Sequence, residues 1–162
     1  MNGASAGGAR PVVTLKIALD QQGAVDDLGA VAKRFTSPAS LDAVHRLRLA
    51  CDAVLVGVGT VLRDNPSLTV RRVPLPAGTP QPTRVVMDPS LRTPATAILA
   101  TDGLPTLLVC SASALPPPVL PPFRFALPEC MLCRAGIRHV MVEGGPSTAR
   151  SFLAARLVDR CG

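Results

Sequence analysis

The sequence predicts an α/β domain on a largely parallel sheet, and three observations carry that expectation. Short apolar runs recur at Ala53–Gly57 (AVLVG), Thr83–Met87 (TRVVM), Thr106–Cys110 (TLLVC) and Ile137–Val142 (IRHVMV). They read as strands buried on both faces. Segments with helical spacing lie between them, the alternation that builds strand–helix–strand units. The length, 162 residues, suits one domain and not a chain of modules.

The elements follow in order. Residues 1–10 are small and rich in Gly and Ala, with no apolar core of a signal peptide, and read as a loose leader before a domain spanning 11–162. Pro11–Leu19 (PVVTLKIAL) is rich in β-branched residues and predicts the first strand. Ser37-Pro38 supplies an N-cap with proline at the first helical position, and Leu41, Val44 and Leu47 continue at helical spacing to about Ala50. After the Ala53–Gly57 strand, Val61–Asp64 has room for one helical turn before Asn65-Pro66 stops it, and Ser67–Arg71 reads as extended. Between Pro74 and Pro128 the chain holds 13 of its 17 prolines, yet two buried strands fall inside that span, so the prolines mark connections. The densest cluster, Leu115–Pro122, reads as a connector in preference to a polyproline recognition motif, because no basic residue sits inside it. Ile137–Val142 is then followed by Glu143-Gly144-Gly145-Pro146-Ser147 and a helical repeat over Thr148–Val158.

Composition narrows the classes of function. Apolar residues make up 48% of the chain and charged ones 17%, which supplies a core and excludes a disordered tail. With four Phe and no Trp or Tyr the core is aliphatic, and stacking platforms for nucleic-acid bases are not expected. The net charge of +6 suits an anionic partner. All but two of the basic residues, Lys16 and Lys33, are Arg, which fits bidentate contact with phosphate or carboxylate and equally fits a genome rich in G and C. Five scattered Cys without a signal peptide indicate a reducing compartment. No run approaches the ~18 apolar residues that span a bilayer.

Two elements could carry chemistry. Residues 143–147 form a strand, a glycine turn and a helix start, where close backbone approach and free N–H groups make a cradle for a phosphate. A bare Gly-Gly turn is also common without any ligand. Glu143 would stand at the carboxyl end of its strand, where open α/β sheets bind ligands. The second element, residues 57–71, places Thr60, Asp64 and Arg71 just after a buried strand. A hydroxyl, a carboxylate and a guanidinium there could hold a polar, phosphorylated substrate, although Asp64-Asn65-Pro66 is good turn chemistry by itself. Cys130 and Cys133 have redox or zinc spacing, but no second pair completes a metal site. His45 reads as an exposed helix residue and His139 as a strand residue.

The sequence resembles one family. Leu15-Lys16-Ile17-Ala18, the run from Leu47 to Gly57, the block from Gly59 to Arg71, Arg84-Val85-Val86-Met87-Asp88, and Val142-Glu143-Gly144-Gly145-Pro146 are similar, in order and spacing, to the riboflavin-biosynthesis pyrimidine reductases. These resemble dihydrofolate reductase, so the resemblance implies a mixed, mostly parallel sheet flanked by helices. It also implies NADPH-dependent reduction of the ribosyl group of a ribosylaminopyrimidine 5′-phosphate to the ribityl form, with hydride passing to C1′ of the open-chain imine. By position, Arg48, Leu68, Arg71 and Glu143 match substrate-contacting residues. Ala18, Thr60, Asp64 and the turn Gly145, Pro146, Ser147, Thr148, Ala149, Arg150 and Ser151 match residues that line the cofactor. Asp64 and Glu143 are then the catalytic candidates, and no metal is implied. The partner is a small molecule, with neither nucleic acid nor membrane, and the location is cytoplasmic, or a plastid in a photosynthetic source.

The chain departs from the family pattern at Asp20-Gln21-Gln22-Gly23 and at Arg34, where an aromatic residue is usual, and Phe125–Ala135 is proline-broken and shorter than the helix expected there. It carries no zinc deaminase half. It stops at Gly162, where the family continues through further strands, so a domain lacking its final strands is expected, and a homodimer only if those strands are not required for it. Two other classes stay open: a non-catalytic, truncated reductase-like protein that binds cofactor or a full-length partner, and a basic nucleic-acid-binding module, which the missing aromatic and zinc motifs disfavour.

Overall fold

A computed structural model describes residues 10–18, 37–114, 123–126, 132, 135–143 and 145–162. Seven strands form one sheet in the order β5-β4-β3-β2-β6-β1-β7, comprising β1 (Val12–Leu15), β2 (Ala53–Gly57), β3 (Thr83–Met87), β4 (Thr106–Val109), β5 (Phe123–Ala126), β6 (His139–Val142) and β7 (Arg160–Cys161). Every described pairing is parallel. The expected mixed sheet is therefore corrected: no antiparallel strand occurs among the described residues. The short β7 follows the last helix and pairs with β1, Thr14 opposite Arg160. A sheet whose neighbours are all parallel needs long crossovers, and among the described residues helices lie in the β1–β2, β2–β3, β3–β4 and β6–β7 connections.

The alternation of strand side chains divides the core in two. Val13, Leu15, Ala53, Leu55, Val85, Val140 and Val142 pack on one face with Ala149 of helix α4 (Pro146–Ala154). Val54, Val56, Val86 and Leu108 pack on the other, with Val58 and Val61 of helix α2 (Val58–Asp64) and Leu99 of the short helix α3 (Ile98–Thr101). Met141 lies in register with Val54 and packs with Val44 of helix α1 (Pro38–Leu49). Strands covered on both faces are why these runs are mostly apolar, and the buried exception in β3, Arg84, has its charge paired with Asp102 at 2.6 Å.

The local signals act as the sequence predicts at several points. Ser37 caps α1, its hydroxyl accepting from the Ser40 N–H at 3.2 Å with Pro38 in the first turn. Asn65 ends α2 in the left-handed conformation, φ 41°. Elsewhere the structure differs. Strand β5, whose last two residues open the proline-broken stretch Phe125–Ala135, is not predicted by the sequence, nor are α3 and β7. Ser67–Arg71 is not an extended strand, because Leu68 turns to φ 55° and its side chain enters the core. Residues 1–9 of the leader, Leu115–Pro122, Cys130, Cys133, Asp20–Gly23 and Arg34 lie outside the described residues. Arg10 is described, and its guanidinium pairs with Asp159 at 2.7 Å.

Candidate functional site

Because all the strands run the same way, their carboxyl ends share one edge, and β1, β2 and β6 lie side by side there. This adjacency gathers residues far apart in sequence. Lys16 to Ala18 leave β1, Gly57 to Thr60 leave β2, and Glu143 and Gly145 leave β6. The Lys16 N–H donates to the Val142 carbonyl and the Glu143 N–H to the Leu55 carbonyl, which sets the three ends level. The switch between strands that follow each other and strands that do not is where open α/β sheets form a ligand crevice.

The strongest interaction at this edge joins two predicted residues. Arg48, in the last turn of α1, donates through Nε to Glu143 Oε1 at 2.6 Å and through Nη2 to Oε2 at 2.7 Å. A parallel pair of charge-assisted bonds of this kind fixes both planes. Arg48 Nη1 also donates to the Thr69 carbonyl at 2.9 Å, so the same guanidinium holds the strand end and the 65–71 segment. Each carboxylate oxygen has a second lone-pair direction left for another donor.

A second group forms where α4 begins. Gly145 is the N-cap and brings no side chain to the exposed first-turn N–H groups, and Pro146 has no N–H to satisfy. A Cβ at Gly145 would lie 3.7 Å from Thr60 Oγ1, and a Cβ at Gly57 would overlap the Thr148 hydroxyl. The ends of β2 and α4 therefore meet so closely that a side chain at 57 would have to displace the Thr148 hydroxyl. Gly144 lies outside the described residues.

The other predicted residues are placed as follows. Pro146, Ser147, Arg150 and Ser151 are exposed on α4, Thr148 is half-buried, and Ala149 is buried in the core. Ala18 is half-buried just beyond β1. Asp64 is exposed at the far end of α2, about 10 Å of helix from Gly57 at ~1.5 Å per residue. Arg71 is exposed, with Nη1 donating to Ser67 Oγ at 2.6 Å. Leu68 directs its side chain into the core, leaving only backbone toward any ligand.

His45 is corrected from exposed to buried, at 4% exposure, because α1 turns that face onto the 65–71 segment. Its Nδ1 accepts from the Arg71 N–H at 3.1 Å. Burial, and then Arg48 and Arg71, hold its imidazole below the ordinary histidine range. Sequence reasoning missed this role, and also Gln81, whose amide accepts from the Val70 N–H at 2.7 Å and donates to the Val70 carbonyl at 3.0 Å. The available signal was spacing: His45 and Arg48 are three apart and share a helix face. His139 is a strand residue as expected, its Nε2 2.8 Å from Thr14 Oγ1. Near it, at the opposite edge of the sheet, burial pushes the Cys51 thiol up to about 11, which makes it a packed and unreactive group.

An arginine–carboxylate frame beside an uncapped helix N-terminus, over the carboxyl edge of a parallel sheet, defines an open α/β ligand-binding domain. The comparison with known proteins then places it: the chain belongs to the RibD C-terminal domain family, which matches residues 11–161. It is 37% identical to the riboflavin biosynthesis protein RibD of Aquifex aeolicus, over 93% of this chain and 45% of that one. It is 34% identical to the 2,5-diamino-6-ribosylamino-4(3H)-pyrimidinone 5′-phosphate reductase of Archaeoglobus fulgidus, over 93% of this chain and 77% of that one. Among solved structures it is similar to Acinetobacter baumannii RibD, with a TM-score of 0.76 and 25% identity over 93% of this chain and 44% of that one. The chain thus spans under half the length of the RibD proteins it matches. Among the described residues no helix is long and apolar enough to cross a membrane.

Proposed function

We propose that this domain reduces the ribosyl group of a ribosylaminopyrimidine 5′-phosphate to its ribityl form with NADPH. The observation that carries the reading is the Arg48–Glu143 pair, set level with the ends of β1 and β2, with Arg48 also donating to the Thr69 carbonyl of the segment that bears Arg71. The donor set fits the cofactor. Gly145 leaves the first N–H groups of α4 to an anion such as a pyrophosphate, with the Ser147 and Thr148 hydroxyls beside them. Thr60 and Ala18 would line the same pocket. When bound, NADPH supplies a hydride, which at C1′ of the protonated open-chain imine gives a secondary amine.

The chain's own residues then have mainly to orient. The free lone pairs of Glu143 accept from sugar hydroxyls while Arg48 fixes its plane. The Arg71 guanidinium engages the 5′-phosphate. Asp64, exposed at the end of α2, has room to bond polar groups of either ligand. The test is incubation of the chain with NADPH and the pyrimidine substrate. The expected result is loss of reduced nicotinamide together with a product two hydrogens heavier. A chain that melts cooperatively yet forms no such product refutes the proposal.

A further inference from the structure

Residues 65–71 link α2 to the proline-rich stretch without joining the sheet, yet the backbone of this segment is tied down at four successive places by side chains from elsewhere. Arg84 Nη1 donates to the Ser67 carbonyl at 3.2 Å, and Arg48 Nη1 to the Thr69 carbonyl at 2.9 Å. The Gln81 amide takes both the N–H and the carbonyl of Val70, at 2.7 and 3.0 Å, as a neighbouring strand would. The last tie is the Arg71 N–H to His45 Nδ1, at 3.1 Å. Leu68, at φ 55°, has a conformation that a non-glycine residue keeps only when its surroundings impose it.

We propose that His45 is a positioning residue for the substrate arm of the site, fixing the backbone from which the Arg71 guanidinium projects. The proposal rests on the reading of Arg71 as a ligand of the substrate phosphate. His45 suits the task because α1 buries it to 4% exposure, one turn before Arg48, so it has little freedom of its own. The contact also has a protonation requirement. Nδ1 accepts only while it carries no proton, and in the imidazolium both ring nitrogens are donors, which would set donor against donor at Arg71. The charged groups facing His45 are Arg48 on its own helix, Arg71 at the end of the segment and Arg72 just after it, and Glu143 at the end of β6, with Arg72 itself paired to Asp42. Three guanidiniums against one carboxylate, in a buried place, favour the neutral ring. The arm therefore loses its last tie only as pH falls below the lowered range of His45.

The test measures binding of ribose 5-phosphate, the sugar-phosphate part of the proposed substrate, by titration calorimetry, with NADPH titrated in parallel. His45→Leu keeps the volume and removes the acceptor. It is expected to weaken ribose 5-phosphate about tenfold, which corresponds to about 1.4 kcal/mol, and to leave the NADPH affinity within about twofold. His45→Asn restores an acceptor near the Nδ1 position and is expected to stay within about threefold of the unmodified chain. The phosphate titrates in the acidic range in either protein, so only the difference between the two proteins counts. On acidification the unmodified chain should lose affinity relative to His45→Asn. If Arg71→Ala weakens binding and His45→Leu does not, the positioning role is overturned while the Arg71 reading stands. If Arg71→Ala binds as tightly as the unmodified chain, both fall. If His45→Leu does not fold, the pH comparison with His45→Asn decides, and identical profiles overturn the proposal.

Discussion

Replacing Arg48 with Met is expected to destabilise the fold by about 3 kcal/mol, the lower end of what breaking a buried ion pair costs. The figure follows from the surroundings. Side-chain exposures are 10% for Arg48 and 13% for Glu143, so water reaches the abandoned carboxylate only at its rim. Two charge-assisted bonds to Glu143 go at once, together with the donor to the Thr69 carbonyl. Glu143→Leu should cost less, about 2 kcal/mol, because the longer Arg48 side chain can move its head toward solvent and keep its apolar stem packed. The double variant leaves no stranded charge and should be no worse than the milder single one, a coupling of about 3 kcal/mol. Urea unfolding followed by far-ultraviolet circular dichroism suits a chain without Trp or Tyr. At about 2 kcal/mol per molar urea, Arg48→Met should lower the midpoint by roughly 1.5 M. If the two single effects simply add, the frame holding Glu143 is not an ion pair of this kind, and the role given to it fails.

Two further outcomes follow from the same structure. Gly57→Ala should destabilise by about 1–3 kcal/mol, since the new methyl overlaps the Thr148 hydroxyl; the cost should shrink in a Thr148→Ala background, and equal urea midpoint shifts in both backgrounds would refute the close approach of β2 and α4. Asp159 accepts from Arg10 and from the Val13 N–H, which holds its carboxyl down at about 2 against an ordinary 3.8. A lowered carboxylate stabilises the fold above its unfolded value, and this contribution disappears as pH falls through that window. Melting temperature should therefore drop between about pH 4 and pH 2, with a shallower slope in Asp159→Asn; an unchanged slope counts against the pair.

Fold class was legible in this sequence because β2, β3, β4 and β6 are largely apolar on both faces and α1 announces its cap in Ser37-Pro38. The parts that were not legible lack such local signals. Strand β5 has four residues between a proline cluster and Pro128, and β7 has two, so pairing with β4 and β1 decides their conformation. Ser67–Arg71 alternates like a strand, but Gln81, Arg84 and His45 supply from their side chains the hydrogen bonds that a neighbouring strand would have given. The site was legible as a set of residue types and not as a geometry. Nothing in the spacing of Arg48 and Glu143, 95 positions apart, announces that they share two hydrogen bonds. His45 was misjudged because a helix face that looks polar by composition is buried here by a loop, not by another element.

The place of β6 in the sheet also bears on how the chain is made. β6 lies between β1 and β2, with Val12 in register with His139 and Ala53 with Val140. A chain emerging from the ribosome can join β2, β3, β4 and β5 in sequence, each to the one before it. β1 has no such neighbour, and its apolar Val13 and Leu15 wait for a strand more than a hundred residues away. At roughly 5–20 residues per second that interval is on the order of ten seconds. For that time the amino-terminal strand is an unpaired, apolar edge open to other chains, so the yield of folded protein should depend on chaperones that cover residues 12–15 until β6 arrives.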